Sequence, residues 1–105
     1  MRVRRSTVLV PGNVDRMIAK ARDFAADVVL LDLEDAVPAT DADKEQARRL
    51  VLAALGQGTF RARELCVRIN GPRTQWFETD IAALAAAGVK SLVLPHTYGA
   101  EVVAR

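Results

Sequence analysis

The stretch VVLLDLEDAVP, residues Val28 to Pro38, sets the reading of the whole chain. Four apolar residues lead into Asp32, Leu33, Glu34 and Asp35, and Pro38 closes the run. Short segments rich in Val and Leu, bounded by Pro, Gly or acidic residues, read as strands. Val28–Leu33 is one such strand, and Thr7–Val10, Leu65–Ile69 and Ser91–Leu94 repeat the pattern. Helical spacing fills the intervals. Met17, Ala21, Phe24 and Ala25 share one face of a first helix, with Asn13 as its cap. Ala47, Leu50, Val51, Ala54 and Leu55 mark a second helix that stops at Gly56, and Phe77, Ile81, Leu84 and Ala85 a third that stops at Gly88. A fourth helix is expected from about Ala100. The order is βαβαβαβα. Strands joined by helix-length crossovers must run parallel, so the fold class is α/β with a parallel sheet. Gln57–Arg63 is the one loop-like interval of any length, and residues 1–105 read as a single domain without a linker or a low-complexity segment.

Composition removes several function classes. Half of the 105 residues are hydrophobic and 27% are charged, as in a globular chain rather than a disordered one. Fifteen basic residues against 13 acidic ones leave +2, and no basic block exceeds Arg4-Arg5, so a nucleic-acid partner is not expected. Aromatic residues at 5% are too sparse for base-stacking platforms. One cysteine cannot close an internal disulfide, and one Cys with one His cannot build a structural zinc site. The longest apolar stretch, near Ala82–Val89, is far below the ~20 residues of a membrane span. The apolar run after the basic Met1–Arg5 ends at Pro11, too soon for a signal h-region. No membrane role is expected, and the compartment expected is the cytosol.

The polar residues gather where parallel α/β folds carry their chemistry, at the carboxyl ends of strands. The four strands run into Pro11-Gly12-Asn13, Asp32-Leu33-Glu34-Asp35, Arg68-Ile69-Asn70-Gly71 and Pro95-His96. Side chains alternate along a strand, so Asp32 and Glu34 share a face, and Arg68 and Asn70 share theirs. Apolar Leu31, Leu33, Val67 and Ile69 face the other way, toward helices. Unpaired charge at such a rim costs stability when buried, so a mixed-charge cluster there points to a site. Each residue also has a bland reading. Asp32, deepest in its strand, reads first as structural, whereas Glu34 and Asp35 together read as functional. Arg68 either neutralises Glu34 or clamps a carboxylate bidentately. His96, Cys66, Trp76 and Phe77 read first as structural, Cys66 as a small core residue and the aromatic pair as packing. Arg16 and Lys20 either meet an anionic ligand at the rim or solvate the first helix.

RRSTVLVPGNVDRMIAKA, ADVVLLDLEDAVP, the Lys44–Arg48 segment, CVRINGPRT and SLVLP together resemble the citrate lyase β-subunit-like family of CoA-ester lyases, which includes malyl-CoA lyases and is related to metal-dependent hydroxy-acid aldolases. The resemblance runs from about Arg4 to Pro95. It implies a TIM (β/α)₈ barrel, of which four strand–helix units are the N-terminal half, since a complete barrel takes ~250 residues. It implies Mg²⁺-dependent cleavage or formation of a carbon–carbon bond beside a CoA thioester, with a 2-oxo acid such as oxaloacetate or glyoxylate as partner. Arg68 of VRIN would hold the keto-acid carboxylate, with Asn70 beside it. Glu34 and Asp35 of LDLEDAV would hydrogen-bond metal-bound waters. Arg5, Lys20 and the VPG turn would lie near the CoA end. The family's direct metal ligands, a Glu and an Asp on later strands, have no counterpart in residues 1–105, and His96 stands where members carry Lys.

Two readings follow from different classes. One is a partial Mg²⁺-dependent CoA-ester lyase, which by itself should neither bind Mg²⁺ tightly nor turn over. The other is a non-catalytic half-barrel that associates with itself or with a complementary half, because the first and fourth strands would expose unpaired backbone. A phospho-accepting receiver domain is excluded: that fold needs an acidic pair after its first strand, and Val10-Pro11-Gly12 supplies none.

Overall fold

A computed structural model describes residues 6–57, 60–89, 91–95 and 102–104. The apolar runs pair into one sheet: β1 (Thr7–Pro11), β2 (Val28–Asp32), β3 (Glu64–Arg68), β4 (Ser91–Val93) and β5 (Val102–Ala104). Its order is β1-β2-β3-β4-β5, with the first four strands parallel, as the crossover lengths require. The crossovers carry α1 (Asp15–Ala21), α2 (Asp41–Gly56) and α3 (Phe77–Ala86). Register lines up Val10, Leu31, Val67 and Leu92 across the sheet. These four are fully buried and pack with Ile18, Ala21, Ala47, Val51 and Leu84 from the helices. Leu9, Leu30 and Cys66 fall on the opposite face, where Leu9 is 48% exposed. No helix among the described residues is long and apolar enough to cross a membrane.

Local chemistry sets the element ends. The Thr40 hydroxyl accepts from the Asp43 amide (3.1 Å) and donates to the Asp43 carboxylate (2.7 Å), which caps α2. Helix α3 stops in a Schellman turn: Gly88, at φ +82°, donates to the Ala85 carbonyl and Val89 to the Leu84 carbonyl. Only glycine adopts that φ cheaply.

Three expectations are corrected. The segment expected as a fourth helix from about Ala100 is extended over Val102–Ala104 and pairs antiparallel with β4. β-branched Val102 and Val103 suit a strand, and the open edge of β4 offers its hydrogen bonds. The outer edge of β4 is therefore covered over Ser91–Val93, leaving β1 without a partner on one side among the described residues. The first helix buries Ile18 and Ala21 rather than Met17 and Phe24, which are 41% and 37% exposed. It ends at Ala21, where Asp23 and Phe24 donate back three residues to Lys20 and Ala21 and tighten the turn before Phe24 can join the stripe. Its N-cap is Val14, with no side-chain cap, rather than Asn13.

Candidate active site

The register places Pro11, Asp32, Arg68 and Val93 on one line across the sheet, at the carboxyl ends of the strands. Asp32 and Arg68 are thus direct neighbours on the face away from the helices. Arg68 grips the carboxylate in a fork: Nε donates to Oδ1 at 2.9 Å and Nη2 to Oδ2 at 2.8 Å. The same two oxygens accept from the amides of Glu34 (2.9 Å) and Ala36 (3.0 Å). Burial alone would raise the Asp32 carboxyl, but the guanidinium and the two amides outweigh it and hold it below the usual carboxylate value. The Asp32 hydrogen bond raises Arg68 in turn, against its partial burial. Glu34 is the second anion on this cation, with Oε1 3.7 Å from Arg68 Nε. Its side chain is 30% exposed and that of Arg68 is 18% exposed. Neither reading of Arg68 from sequence foresaw that its fork would close on Asp32.

Glycine is required beside this pair. Gly12 donates to the Asp32 carbonyl at 2.7 Å, and a Cβ at Gly12 would lie 2.6 Å from the same oxygen. The Pro11-Gly12-Asn13 turn therefore lies directly on the end of β2. The Asn13 Oδ1 atom is buried there without a hydrogen-bond partner among the described residues.

A cleft of about 340 Å³ opens beside the loop after β2, lined by Glu34, Asp35, Val37, Lys44, Asn70 and Trp76 among others. Asp35 is exposed at its mouth. Lys44 is nearly buried, and its ammonium donates to the carbonyls of Leu33 (3.1 Å), Glu34 (2.7 Å) and Val37 (3.1 Å). Burial pulls its pKa below the usual lysine value, and the charges of Glu34, Asp32, Asp80 and Asp35 oppose that only in part. The Trp76 ring lies over the ammonium, 5.3 Å from nitrogen to ring centre, and its indole N–H donates to Asp41 at 2.7 Å.

Asn70, expected at the substrate, is anchored instead to the buried Asp80. Its backbone and side-chain nitrogens both donate to Asp80 Oδ2, at 3.1 and 2.6 Å. Arg48 Nε closes the other oxygen at 3.0 Å. This network ties the end of β3 to α2 and α3. Lys20, expected near the CoA end, lies on the exposed side of α1 and lines a separate groove with Val8, Leu9, Val10, Arg16, Met17 and Phe24. The structure thus brings Glu34, Asp35, Arg68 and Asn70 to one rim and leaves Lys20 on a flank. Arg5 and His96 lie outside the described residues. Cys66 is buried, as read.

Sequence reasoning gave no site role to Lys44, Arg48, Asp80 or Trp76. A signal was present for two of them. Lys44 extends the buried stripe Ala47, Val51 and Ala54 by one step, and Asp80 interrupts the stripe of Phe77 and Leu84. A charged residue on an apolar stripe must find partners inside.

Among the described residues no group of three or more His, Cys, Asp or Glu side chains could hold a metal ion. Glu34 and Asp35 are two carboxylates at the mouth of a cleft, which suits acceptors for waters around a cation rather than a full ligand set.

Four parallel strands in sequential order alternating with helices, with an acidic pair, a fixed guanidinium and a cleft at their carboxyl rim, define an α/β protein. The chain belongs to the HpcH/HpaI aldolase/citrate lyase family, whose model matches residues 5–105. It is 44% identical over 102 residues to the citrate lyase subunit beta of Leuconostoc mesenteroides subsp. cremoris, covering 97% of this chain and 33% of that protein. A (3S)-malyl-CoA thioesterase of Cereibacter sphaeroides is 41% identical over 91 residues, covering 87% and 31%. Among solved structures, protein CitE from Mycobacterium tuberculosis in complex with magnesium, acetoacetate and coenzyme A superposes with a TM-score of 0.67 at 31% identity, over 90% of this chain and 33% of that one. RipC from Yersinia pestis gives 0.59 at 35% identity, over 89% and 34%. The chain spans about a third of the length of these relatives.

Proposed function

We propose that this chain supplies the carboxylate-clamping part of a Mg²⁺-dependent carbon–carbon lyase acting on CoA esters of the citryl-CoA or malyl-CoA type, and that its four parallel strands are the first four of a (β/α)₈ barrel. The sequential strand order supports the barrel, because that is how a barrel winds. One observation carries the site: the Arg68 guanidinium is held rigid by Asp32 while its Nη1 has no partner among the described residues. A permanently charged, pre-oriented group of this kind binds the carboxylate of a 2-oxo acid without first having to be ordered. Glu34 and Asp35 would accept hydrogen bonds from the waters of a bound cation, since the described residues offer no full ligand set of their own. When bound, Mg²⁺ polarises the keto or hydroxy group of the acid. Arg68 keeps the acid in place, and the Asp32 carboxylate keeps Arg68 in place. The complex of a related structure with magnesium, acetoacetate and coenzyme A, and the names of the relatives, support the reading. A cytosolic location and a homo-oligomer belong to the same proposal.

The test is a fusion of residues 1–105 to the remaining two thirds of the Leuconostoc mesenteroides subunit, supplied with citryl-CoA or malyl-CoA. Mg²⁺-dependent release of oxaloacetate or glyoxylate is expected, with a loss of about 100-fold or more in Arg68→Met. A folded fusion that releases neither acid, or an Arg68→Met variant as active as its parent, would refute the proposal.

The other reading, a half-barrel that works by association, is favoured by the open edge of β1 and by exposed Leu9, Met17 and Phe24 along it. Sedimentation of the chain together with the fusion assay decides it: a stable monomer counts against association, and a self-associating chain whose folded fusion releases neither acid favours it over the lyase.

A further inference from the structure

We propose that Lys44 is a positioning residue that aims the Glu34–Asp35 pair into the cleft; the inference rests on the reading that this pair serves the reacting site. A buried lysine normally faces a carboxylate. Lys44 does not: among the described residues no carboxylate lies within ion-pair distance of Nζ, and all three of its donors go to the backbone carbonyls of Leu33, Glu34 and Val37. The distinction matters at Glu34. The ammonium holds its carbonyl at 2.7 Å and leaves its carboxylate for Arg68 and the cleft.

The loop is gripped from both sides. The Asp32 carboxylate takes the amides of Glu34 and Ala36. The Lys44 ammonium takes the carbonyls of Leu33, Glu34 and Val37. The Leu33 amide donates to Arg68 and the Val37 amide to Glu34, at 2.9 and 3.2 Å. Most peptide groups between Leu33 and Val37 thus have a fixed direction, and the remaining freedom of Glu34 and Asp35 is in their side chains. Three carbonyls converging on one nitrogen match a tetrahedral ammonium. A planar guanidinium spreads its donors over three nitrogens and cannot satisfy the same three oxygens. Trp76, tied to Asp41, covers the ammonium from the cleft side.

The chain labelled with ¹⁵N and ¹³C gives the direct test. Scalar couplings across the hydrogen bonds from Lys44 Nζ to the carbonyl carbons of Leu33, Glu34 and Val37 are expected in the unaltered protein, and their absence overturns the geometry. In Lys44→Met, exchange of the Glu34 and Ala36 amides should rise about tenfold or more relative to Val29 and Leu31 in β2. Equal acceleration of all four amides would mean that Lys44 serves folding alone and would overturn the proposal. Lys44→Arg keeps the charge and serves if the methionine variant does not fold. It should show the same loop-specific rise, and full protection in it overturns the claim that an ammonium is required. In the fusion described above, Lys44→Arg should raise the Mg²⁺ concentration for half-maximal activity about tenfold or more, with the KM for the CoA ester nearly unchanged. An unchanged Mg²⁺ requirement overturns the link to the site. A fusion inactive with Lys44 in place defeats the lyase reading, while the couplings and the exchange pattern still decide the role of Lys44.

Discussion

Asp32→Asn is the most informative single change, because it alters one atom at the centre of the rim. The two oxygens of Asp32 accept four hydrogen bonds, two from Arg68 and two from loop amides, and the side chain has no solvent exposure. Asparagine keeps one acceptor oxygen and puts an NH₂ group at the other position. In either orientation one Arg68 N–H and one loop N–H then face a donor. Losing a hydrogen bond to a charged group costs about 1.5–3 kcal/mol, and stranding a buried backbone donor costs about 1–3 kcal/mol more. The sum, about 2.5–6 kcal/mol, brackets the cost of about 3–5 kcal/mol for breaking a buried ion pair by removing one partner. A domain of this size has only about 5–15 kcal/mol in total. Urea unfolding followed by circular dichroism reads the loss: at a slope of about 1.5 kcal/mol per molar, the midpoint falls by about 2–3 M. Arg68→Met should cost a similar amount, since it leaves the Asp32 carboxylate buried with only its amides. The double variant should lose clearly less than the two single losses added together. A single variant within about 1 kcal/mol of the parent, or strict additivity in the double, would refute the claim that this pair holds the rim together.

Other outcomes follow from the same geometry. Gly12→Ala must push its Cβ away from an oxygen 2.6 Å distant, which should separate the ends of β1 and β2 and cost about 1–3 kcal/mol in the same urea assay. A midpoint unchanged from the parent would disprove the close approach. Asp80→Ala strands the Asn70 nitrogens and the Arg48 guanidinium, so a loss of about 3–5 kcal/mol is expected, against well under 1 kcal/mol for the exposed Asp15→Ala on α1. Acid should act on Asp32 with a definite sign. Its folded pKa lies below the ordinary aspartate value of 3.8, so its stabilising contribution is complete above that value and disappears as the pH falls through the folded pKa. An acid titration by circular dichroism should show this component in the parent and not in Asp32→Asn; identical acid limbs would contradict it. Titration calorimetry of the chain with Mg²⁺ and oxaloacetate should give no micromolar binding, because no ligand cluster exists among the described residues. Micromolar affinity would place metal ligands within residues 1–105.

The sheet was legible because periodicity and crossover length leave little choice. Val28–Leu31 and its repeats are apolar on both faces, and the helix-length intervals between them force parallel pairing. Where the pattern was thin, it failed. Ala21 was read correctly as buried, but seven-residue α1 carries too few turns to tell Ile18 from Met17 and Phe24 as its companion on that side. The strand at Val102–Ala104 owes its state to the neighbouring edge of β4, which local sequence does not encode. At the site, the alternation of faces correctly placed Arg68 beside the acidic end of β2. Which acid it would take depended on register, and the register put Asp32, not Glu34, directly opposite.

The sequence alone determined that four parallel strands alternate with helices and that their carboxyl rim carries Glu34, Asp35, Arg68 and Asn70, because strand alternation and strand-end position are properties of the chain itself. Only the tertiary structure decided what each of those groups is bound to. Arg68 is locked on Asp32, Asn70 on Asp80, and the loop bearing Glu34 and Asp35 is held between Asp32 and Lys44. Several of these partners are 10 to 36 residues apart along the chain. Hydrogen-bond pairing is set by distances of about 3 Å, and no one-dimensional pattern fixes distances of that kind between separate elements.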